Sequence, residues 1–422
     1  MTDIDPRAFL VSLFETAVRA ADTLEAIRAH LPERPKGRTV VIGAGKAASQ
    51  MASSFEKLWD GPYQGVVVAR HGPVEKTGRI SVLQSAHPVP DEAGLVASQA
   101  LLDAVRGLTQ DDLVIALVSG GGSALLPAPP EGLTLADEIA VNKALLASGA
   151  PISAMNTVRK HVSSIKGGRL AKAAAPAKVV SLVVSDVPGD NAAFVASGPT
   201  VPDTSSAEEA LRIVADYRMT LPHNVISHLR SEAAAAPKVD DPAFARNEVH
   251  VIASARVSLE AAAAEAQRLG IEAVILSDQI EGEARDIGKM HAAVAREVVL
   301  RNRPFEKPVV ILSGGETTVT ITDTYGKGGR NSEFLLSFAL DIEGIDGITA
   351  LAADTDGIDG SEDNAGAFAD GGSAARIRKA ASDPRGFLAR HDAWSAFHAA
   401  GDLFVPGPTG TNVNDFRAIL IR

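Results

Sequence analysis

Short apolar runs rich in Val and Ile alternate with Ala-rich stretches of helical period along nearly the whole chain. At the start, Phe9, Leu13, Ala17, Ala20 and Leu24 recur at helical spacing and predict an amphipathic helix. The runs that follow read as buried parallel strands: Thr39–Ile42, Val66–Ala69, Leu113–Val118 and Val179–Val184, then Val249–Ala253, Ala273–Leu276, Val309–Leu312 and Ile348–Ala352. Parallel neighbours need long crossovers, which the intervening helical stretches supply, so the rhythm predicts repeated βαβ units. Residues 234–247 are short of large apolar side chains and contain two prolines, the composition of a linker. This places a domain boundary near residue 240, with domains over 1–240 and 241–422. Ser119-Gly120-Gly121-Gly122-Ser123 and Ser313-Gly314-Gly315-Glu316 each follow a strand, a hint of related halves that is too short to establish duplication.

Composition narrows the function classes. With 422 residues, 45% of them hydrophobic, the chain can bury a sizeable core and fill two domains. A formal net charge of −11, with no basic block, excludes the electrostatic footprint of a nucleic-acid binder. Cysteine is absent, which removes disulfides, thiolate nucleophiles and thiolate-bound zinc and fits a reducing compartment. The first residues carry acids where a signal peptide carries bases, and no apolar run approaches the ~18 residues of a membrane span. The expectation is a cytoplasmic protein with no membrane partner.

The candidate chemistry lies just after the strands, where open α/β sheets place their ligands. Gly43-Ala44-Gly45-Lys46-Ala47-Ala48 turns a strand into a helix whose first amides could bind an anion. Its spacing fits Gly-x-Gly-x-x-Ala, the dinucleotide turn, and Arg70 stands where a 2′-phosphate would be held. It is not a Walker A loop, because Val40 replaces the first glycine and Ala47 follows the lysine. A fixed cation beside a helix start is costly unless an anion joins it. In Ser119–Ser123 three glycines let successive N–H groups converge on an oxyanion, with a serine on each flank. Asn156, Arg159, Lys160 and Ser163 share a helical face in a stretch with four cations, which suggests phosphate or carboxylate recognition. The lone His161 reads equally as a structural side chain. Asp186 and Asp190 flank a turn stiffened by Pro188 and Gly189, a pattern suited to magnesium or to removing a hydroxyl proton and equally to an ordinary turn. In the second half come Gly315 and Glu316, then Gly328-Gly329-Arg330-Asn331, which puts an arginine suited to bidentate anion contact at a helix start. Asp354, Asp356 and Asp359 resemble an EF-hand opening, but Ala365 stands where its closing Glu belongs. Thr411, Asn412 and Asn414 offer hydroxyl and amide donors around an expected helix start.

Taken in order, Gly-Ala-Gly-Lys-Ala-Ala, Ser-Gly-Gly-Gly-Ser-Ala-Leu, Arg-Lys-His-Val-Ser-Ser-Ile-Lys-Gly-Gly-Arg, Ser-Asp-Val-Pro-Gly-Asp, Ser-Gly-Gly-Glu-Thr-Thr-Val, Gly-Gly-Arg-Asn-Ser-Glu and Gly-Pro-Thr-Gly-Thr-Asn-Val-Asn-Asp resemble the glycerate 2-kinase family with a C-terminal MOFRL domain. The likeness runs from about residue 8 to residue 420. It implies two α/β/α domains, the first Rossmann-like with a mostly parallel sheet, the second smaller with a mixed sheet. It also implies phosphorylation of D-glycerate to 2-phosphoglycerate with ATP and Mg2+ in a cleft between them. Lys46 and Arg330 match the family's lysine and arginine and are expected to neutralise the transferring phosphoryl group. The Ser119–Ser123 nest, with Asn156 and Arg159, is expected to hold a carboxylate or phosphate. Asp186 is the preferred base or metal ligand, and Asp190, Glu316 and Asp354 are unranked metal candidates. Two rival classes are an NAD(P)H-dependent hydroxypyruvate reductase, with His71, His87 or His161 as proton donor, and a non-catalytic sensor of a sugar acid. The sensor leaves the acids after the strands unexplained. D-glycerate and ATP are the expected partners, with a homo-oligomer as a further option.

Overall fold

The computed structural model describes residues 5–187, 189–202, 204–321, 325–381 and 383–422; Pro188 lies outside them. The chain divides into two compact units, Thr23–Ile252 and a second that joins the opening segment, through Asp22, to Ala253–Arg422. This differs from the boundary near residue 240 in two ways. The opening helix, Pro6–Ala20, belongs with the second unit because Phe9, Leu10, Leu13, Phe14 and Ala17 share a core with Leu259, Leu312, Phe416 and Leu420. Each large apolar side chain so buried contributes roughly 1.5–3 kcal/mol. The supposed linker stays with the first unit: Asp241 pairs with Lys172 at 2.8 Å, and Phe244 packs on that unit's core.

In the first unit the strands are β1 (Thr39–Ala44), β2 (Gln64–Arg70), β3 (Ile80–Ser85), β4 (Leu113–Ser119), β5 (Lys178–Val184) and β6 (Glu248–Ala253). They form a six-stranded parallel sheet in the order β3-β2-β1-β4-β5-β6. That is the doubly wound order, in which the crevice outside the carboxyl ends of β1 and β4 is the ligand position. β1 and β4 are buried along their whole length, as strands covered by helices on both faces must be.

The second unit holds β7 (Glu272–Glu283), β8 (Val309–Thr318), β9 (Ile348–Asp354), β10 (Gly366–Asp370), β11 (Leu403–Phe404) and β12 (Asp415–Ile421). Their order is β11-β10-β9-β12-β8-β7, with only β7 and β8 parallel among the register pairs. β9, expected to be parallel, instead lies antiparallel between β10 and β12. The expected helix start around Asn412–Asp415 is also corrected: the loop runs directly into β12, a fully buried central strand. Arg417 had disguised that strand by interrupting its apolar run. No helix among the described residues is long and apolar enough to cross a membrane.

Candidate active site

At the carboxyl edge of the first sheet, the turn after β1 and the turn after β4 are bound to each other. Lys46 N donates to the Gly120 carbonyl at 2.8 Å, and Ala47 N donates to Ser119 Oγ at 3.0 Å. The first amides expected to bind an anion are therefore partly spent on the neighbouring turn. Gly45 permits this contact, since a Cβ there would lie 2.1 Å from Ser119 Oγ. Gly43 likewise brings its strand against Leu117. Both glycines hold the turns together whether or not they also touch a ligand. The helix begins only at Ala48, so Lys46 projects from the turn itself. Its ammonium makes no hydrogen bond or ion pair with another described residue.

The nest expected at Ser119–Ser123 is a turn with Gly121 in the left-handed region (φ 78°), followed by a single helical turn, Gly122–Leu125. Asp186, arriving from the end of β5, packs its carboxylate on Gly120, where a Cβ would stand 1.8 Å from Oδ2. Asp190 follows in a positive-φ conformation (54°) in the same loop. Ser123 and Ser197 share a hydrogen bond of 2.7 Å, and Ser197 donates to Asn156 Oδ1 at 3.0 Å. Arg159 donates to Asn156 Oδ1 and, at 2.8 Å, to Asn142 Oδ1; Asn142 in turn donates to the Pro88 carbonyl. Arg159 is thus fixed by neutral amides. The structure joins the nest, Asn156 and Arg159 in one network.

The other cations of the same stretch are placed differently. Lys160 is fully buried, its ammonium 4.7 Å from the Phe194 ring centre. Lys166 is buried against Glu138 Oε1 at 2.7 Å, and Arg169 bonds the carbonyls of Lys160, Lys166, Ala234 and Ala235. His161 is a core residue that joins the Ala234 carbonyl and the Ser205 hydroxyl. These side chains organise the fold behind the turn.

In the second unit Arg330 opens the helix Arg330–Asp341, as its sequence position suggested. Three carboxylates close around it: Nε donates to Asp415 Oδ1 (2.6 Å), Nη1 to Glu316 Oε1 (2.9 Å) and Nη2 to Asp354 Oδ2 (2.7 Å). Burial alone would lower the arginine's pKa, but Asp415, Asp354 and Glu316 together raise it well above its ordinary value. Burial, aided by Asp356 and Asp415, raises the Asp354 carboxyl against the pull of Arg330. Two of the metal candidates, Glu316 and Asp354, are therefore engaged with the arginine. Among the described residues no group of three or more His, Asp or Glu is arranged to hold a metal.

Around this clasp lie residues to which sequence reasoning gave no role at the site. Asp359 accepts from the Asn331 and Ser332 amides (2.9 and 2.8 Å) and so caps the helix; burial pushes its carboxyl up to about 6. Asp415 also receives Asn331 Nδ2 at 2.8 Å and the fully buried Arg417. A cavity of about 520 Å3 within this unit is lined by Arg330, Asp354, Glu333 and His391. Glu333 is held by Arg285 Nε (2.8 Å) and lies 3.1 Å from His391 Nδ1. Asp359 and Asp415 stood inside the quoted motifs, but nothing in their spacing distinguished them from their acidic neighbours. Gly315, expected at a ligand, makes a close approach to Ile280. Thr411 donates to the Ala21 carbonyl (3.1 Å), Asn412 to Asp356 (3.3 Å), and Asn414 presents its carbonyl to Thr355. These three contacts shape the loop before β12.

The comparisons with known proteins follow this geometry. Residues 9–230 match the model of a domain of unknown function, DUF4147, and residues 309–415 match the MOFRL family. A protein of Agrobacterium vitis that carries the provisional name hydroxypyruvate reductase is 50% identical, covering 99% of this chain and 95% of its own. The glycerate 2-kinase of Pyrococcus horikoshii is 42% identical over 90% of this chain and 86% of its own. The crystal structure of glycerate kinase from Thermotoga maritima superposes with a TM-score of 0.90 at 36% identity, covering 99% of both chains. Extended likeness of both sequence and fold shows that this chain belongs to the glycerate 2-kinase family with a C-terminal MOFRL domain.

Proposed function

We propose that the protein transfers the γ-phosphoryl group of ATP to the 2-hydroxyl of D-glycerate, giving 2-phosphoglycerate, with the two units closing on the substrates. The observation that carries this reading is Lys46: a cation with no acidic partner among the described residues, at the switch point of a doubly wound sheet, against a turn of three glycines. Phosphoryl transfer needs alignment and charge neutralisation more than covalent help, and such a cation supplies both. Lys46 draws the phosphoryl oxygens to the Gly120–Gly122 turn. Arg159, immobilised by Asn142 and Asn156, holds an oxyanion beside it. Arg330 contributes from the second unit once its carboxylates are shared with the substrates.

Magnesium usually keeps several waters and is held by one or two carboxylates plus substrate phosphates, so a complete protein cage is not required. Asp186 fits that use, because its carboxylate rests on the glycine turn that faces the phosphate. When bound with ATP, the ion would offset charge on the phosphate oxygens. Asp190 is a second candidate in the same loop, and Asp186 alternatively accepts the hydroxyl proton. A reducing, cytoplasmic setting suits a chain without cysteine.

The test is a product assay with D-glycerate and ATP-Mg that resolves 2-phosphoglycerate from 3-phosphoglycerate. ADP release dependent on both glycerate and magnesium is expected. Oxidation of NADPH by hydroxypyruvate without ADP formation would replace this reading with that of a reductase.

A further inference from the structure

A histidine outside the expected kinase site completes the anion-binding edge of the first sheet. His87 follows β3, whose last residue, Ser85, is in register with Arg70 at the end of β2. His71 N closes that edge by donating to the Ser85 carbonyl at 3.0 Å. The imidazole comes to the same point as Lys46: a methyl group added to Gly121 would stand 3.0 Å from Lys46 Cγ and 3.4 Å from His87 Nε2. The residue is only partly covered, and neither ring nitrogen is hydrogen-bonded to another described residue. Its loop is nevertheless fixed, because the next carbonyl, that of Pro88, accepts from Asn142, the residue that also orients Arg159. One hydrogen-bonded chain therefore sets both the histidine loop and the arginine.

The charges that bear on the His87 ring are cationic. Lys46, Arg70 and Arg159 all act on the imidazole, and with partial burial as the largest cause they lower its pKa. Asp186 lies against Gly120 in the adjoining turn, and Asp91 is bound to His71 and Ser85 behind the loop. A neutral imidazole amid cations can donate one N–H without adding a repelled fourth charge. An arriving oxyanion offsets the cations and makes the protonated ring less costly.

We propose that His87 is an oxyanion ligand of this site, its Nε2–H donating to an oxygen of the anion held between Lys46 and the Gly120–Gly122 turn. The inference deepens the kinase reading and rests on it only for the identity of the anion, a hydroxy-acid carboxylate or a phosphate. The sequence offered His87 only as a proton donor for hydride chemistry; its place over Gly121 assigns it to anion recognition instead.

Binding can be followed without turnover. Histidine ring resonances of the full chain are titrated with pH, with His87 assigned by its loss in His87→Gln. The expected result is a His87 pKa below the ordinary histidine value in the free protein that rises when the bound anion is present. D-glycerate and inorganic phosphate are tested separately; the one that moves the resonance identifies the group bound here. If neither moves it, His87 is not a ligand, whether or not the protein proves to be a kinase. In kinetics, His87→Ala should raise the KM of the identified substrate about ten- to a hundredfold, the worth of one hydrogen bond to a charged group, with a much smaller effect on kcat. His87→Gln, which keeps a donor, should recover most of that loss. Equal loss of kcat and thermal stability in both variants would overturn the assignment in favour of a role in the fold.

Discussion

The two units present their key cations in opposite electrostatic settings. At the edge of the first sheet Lys46 has no acidic partner among the described residues, and Arg159 is steadied by the neutral amides of Asn142 and Asn156. In the second unit Arg330 is ringed by Glu316, Asp354 and Asp415. The first arrangement leaves positive potential for a ligand. The second holds it in a local balance, where the arginine keeps buried carboxylates tolerable as much as they keep the arginine in place. The role in catalysis proposed for these cations is therefore separable from a role in stability at Lys46 and joined to one at Arg330.

The largest expected effects test that separation. Lys46→Ala should lower kcat by about two orders of magnitude, the usual loss for a preorganised electrostatic donor, while leaving the melting temperature close to wild type. Arg330→Ala should lower kcat comparably and also destabilise the protein by roughly 3–5 kcal/mol, because Asp354 loses its buried counter-ion and Asp415 keeps only Arg417. Steady-state kinetics paired with chemical denaturation distinguishes the two. Equal stability losses in both variants would erase the contrast.

A second test uses pH. His291, buried beside the arginine clasp, is bonded to Ser313 and the Ile287 carbonyl, and burial lowers its pKa to about 4. Its neutral form is favoured in the folded state, so its stabilising contribution is present above the unfolded value and lost as pH falls from about 6.5 through 4. Asp359 has the opposite sign: its folded pKa of about 6 makes its contribution greatest below the unfolded value and lost as pH rises through 6. The two offset in the wild type. Comparing wild type with His291→Gln removes the shared part, and the stability difference should shift in favour of the variant by up to about 3 kcal/mol between pH 6.5 and pH 4. A difference independent of pH would show that the imidazole is not buried in its neutral form.

Asp359→Ala should cost about 2–3 kcal/mol by leaving the buried Asn331 and Ser332 amides without an acceptor. Anion binding at His87 should persist, since the change lies in the other unit. The smallest effect is that of salt: raising ionic strength from 0.05 to 0.5 M should weaken anion binding at the exposed Lys46 several-fold and barely alter stability from the shielded Arg330 clasp.

The motifs that mark the site were legible because each needs particular residue types at one short spacing. Eight strands were legible from Val and Ile runs for the same reason. β3 was not, because Ser81 and Gln84 dilute an edge strand that is only half-buried. β10 was hidden by its small residues, Gly366, Ala367 and Ala369, which fit closely against β9 without an apolar signature. Cationic spacing did not distinguish Lys160 and Lys166 from Arg159 in the same stretch, although Lys160 is buried against Phe194 and Lys166 against Glu138.

By itself, then, the sequence determined the α/β class, the family likeness and the short turns from which Lys46, the glycine nest and Arg330 project, since local spacing and backbone freedom dictate all of these. Only the tertiary structure decided which charges are compensated. Asp415 reaches Arg330 from 85 residues away, and His87 meets Lys46 over Gly121 through strand order. Coulomb energy and desolvation depend on distance in space and on burial, and neither is written in the spacing of residues along the chain.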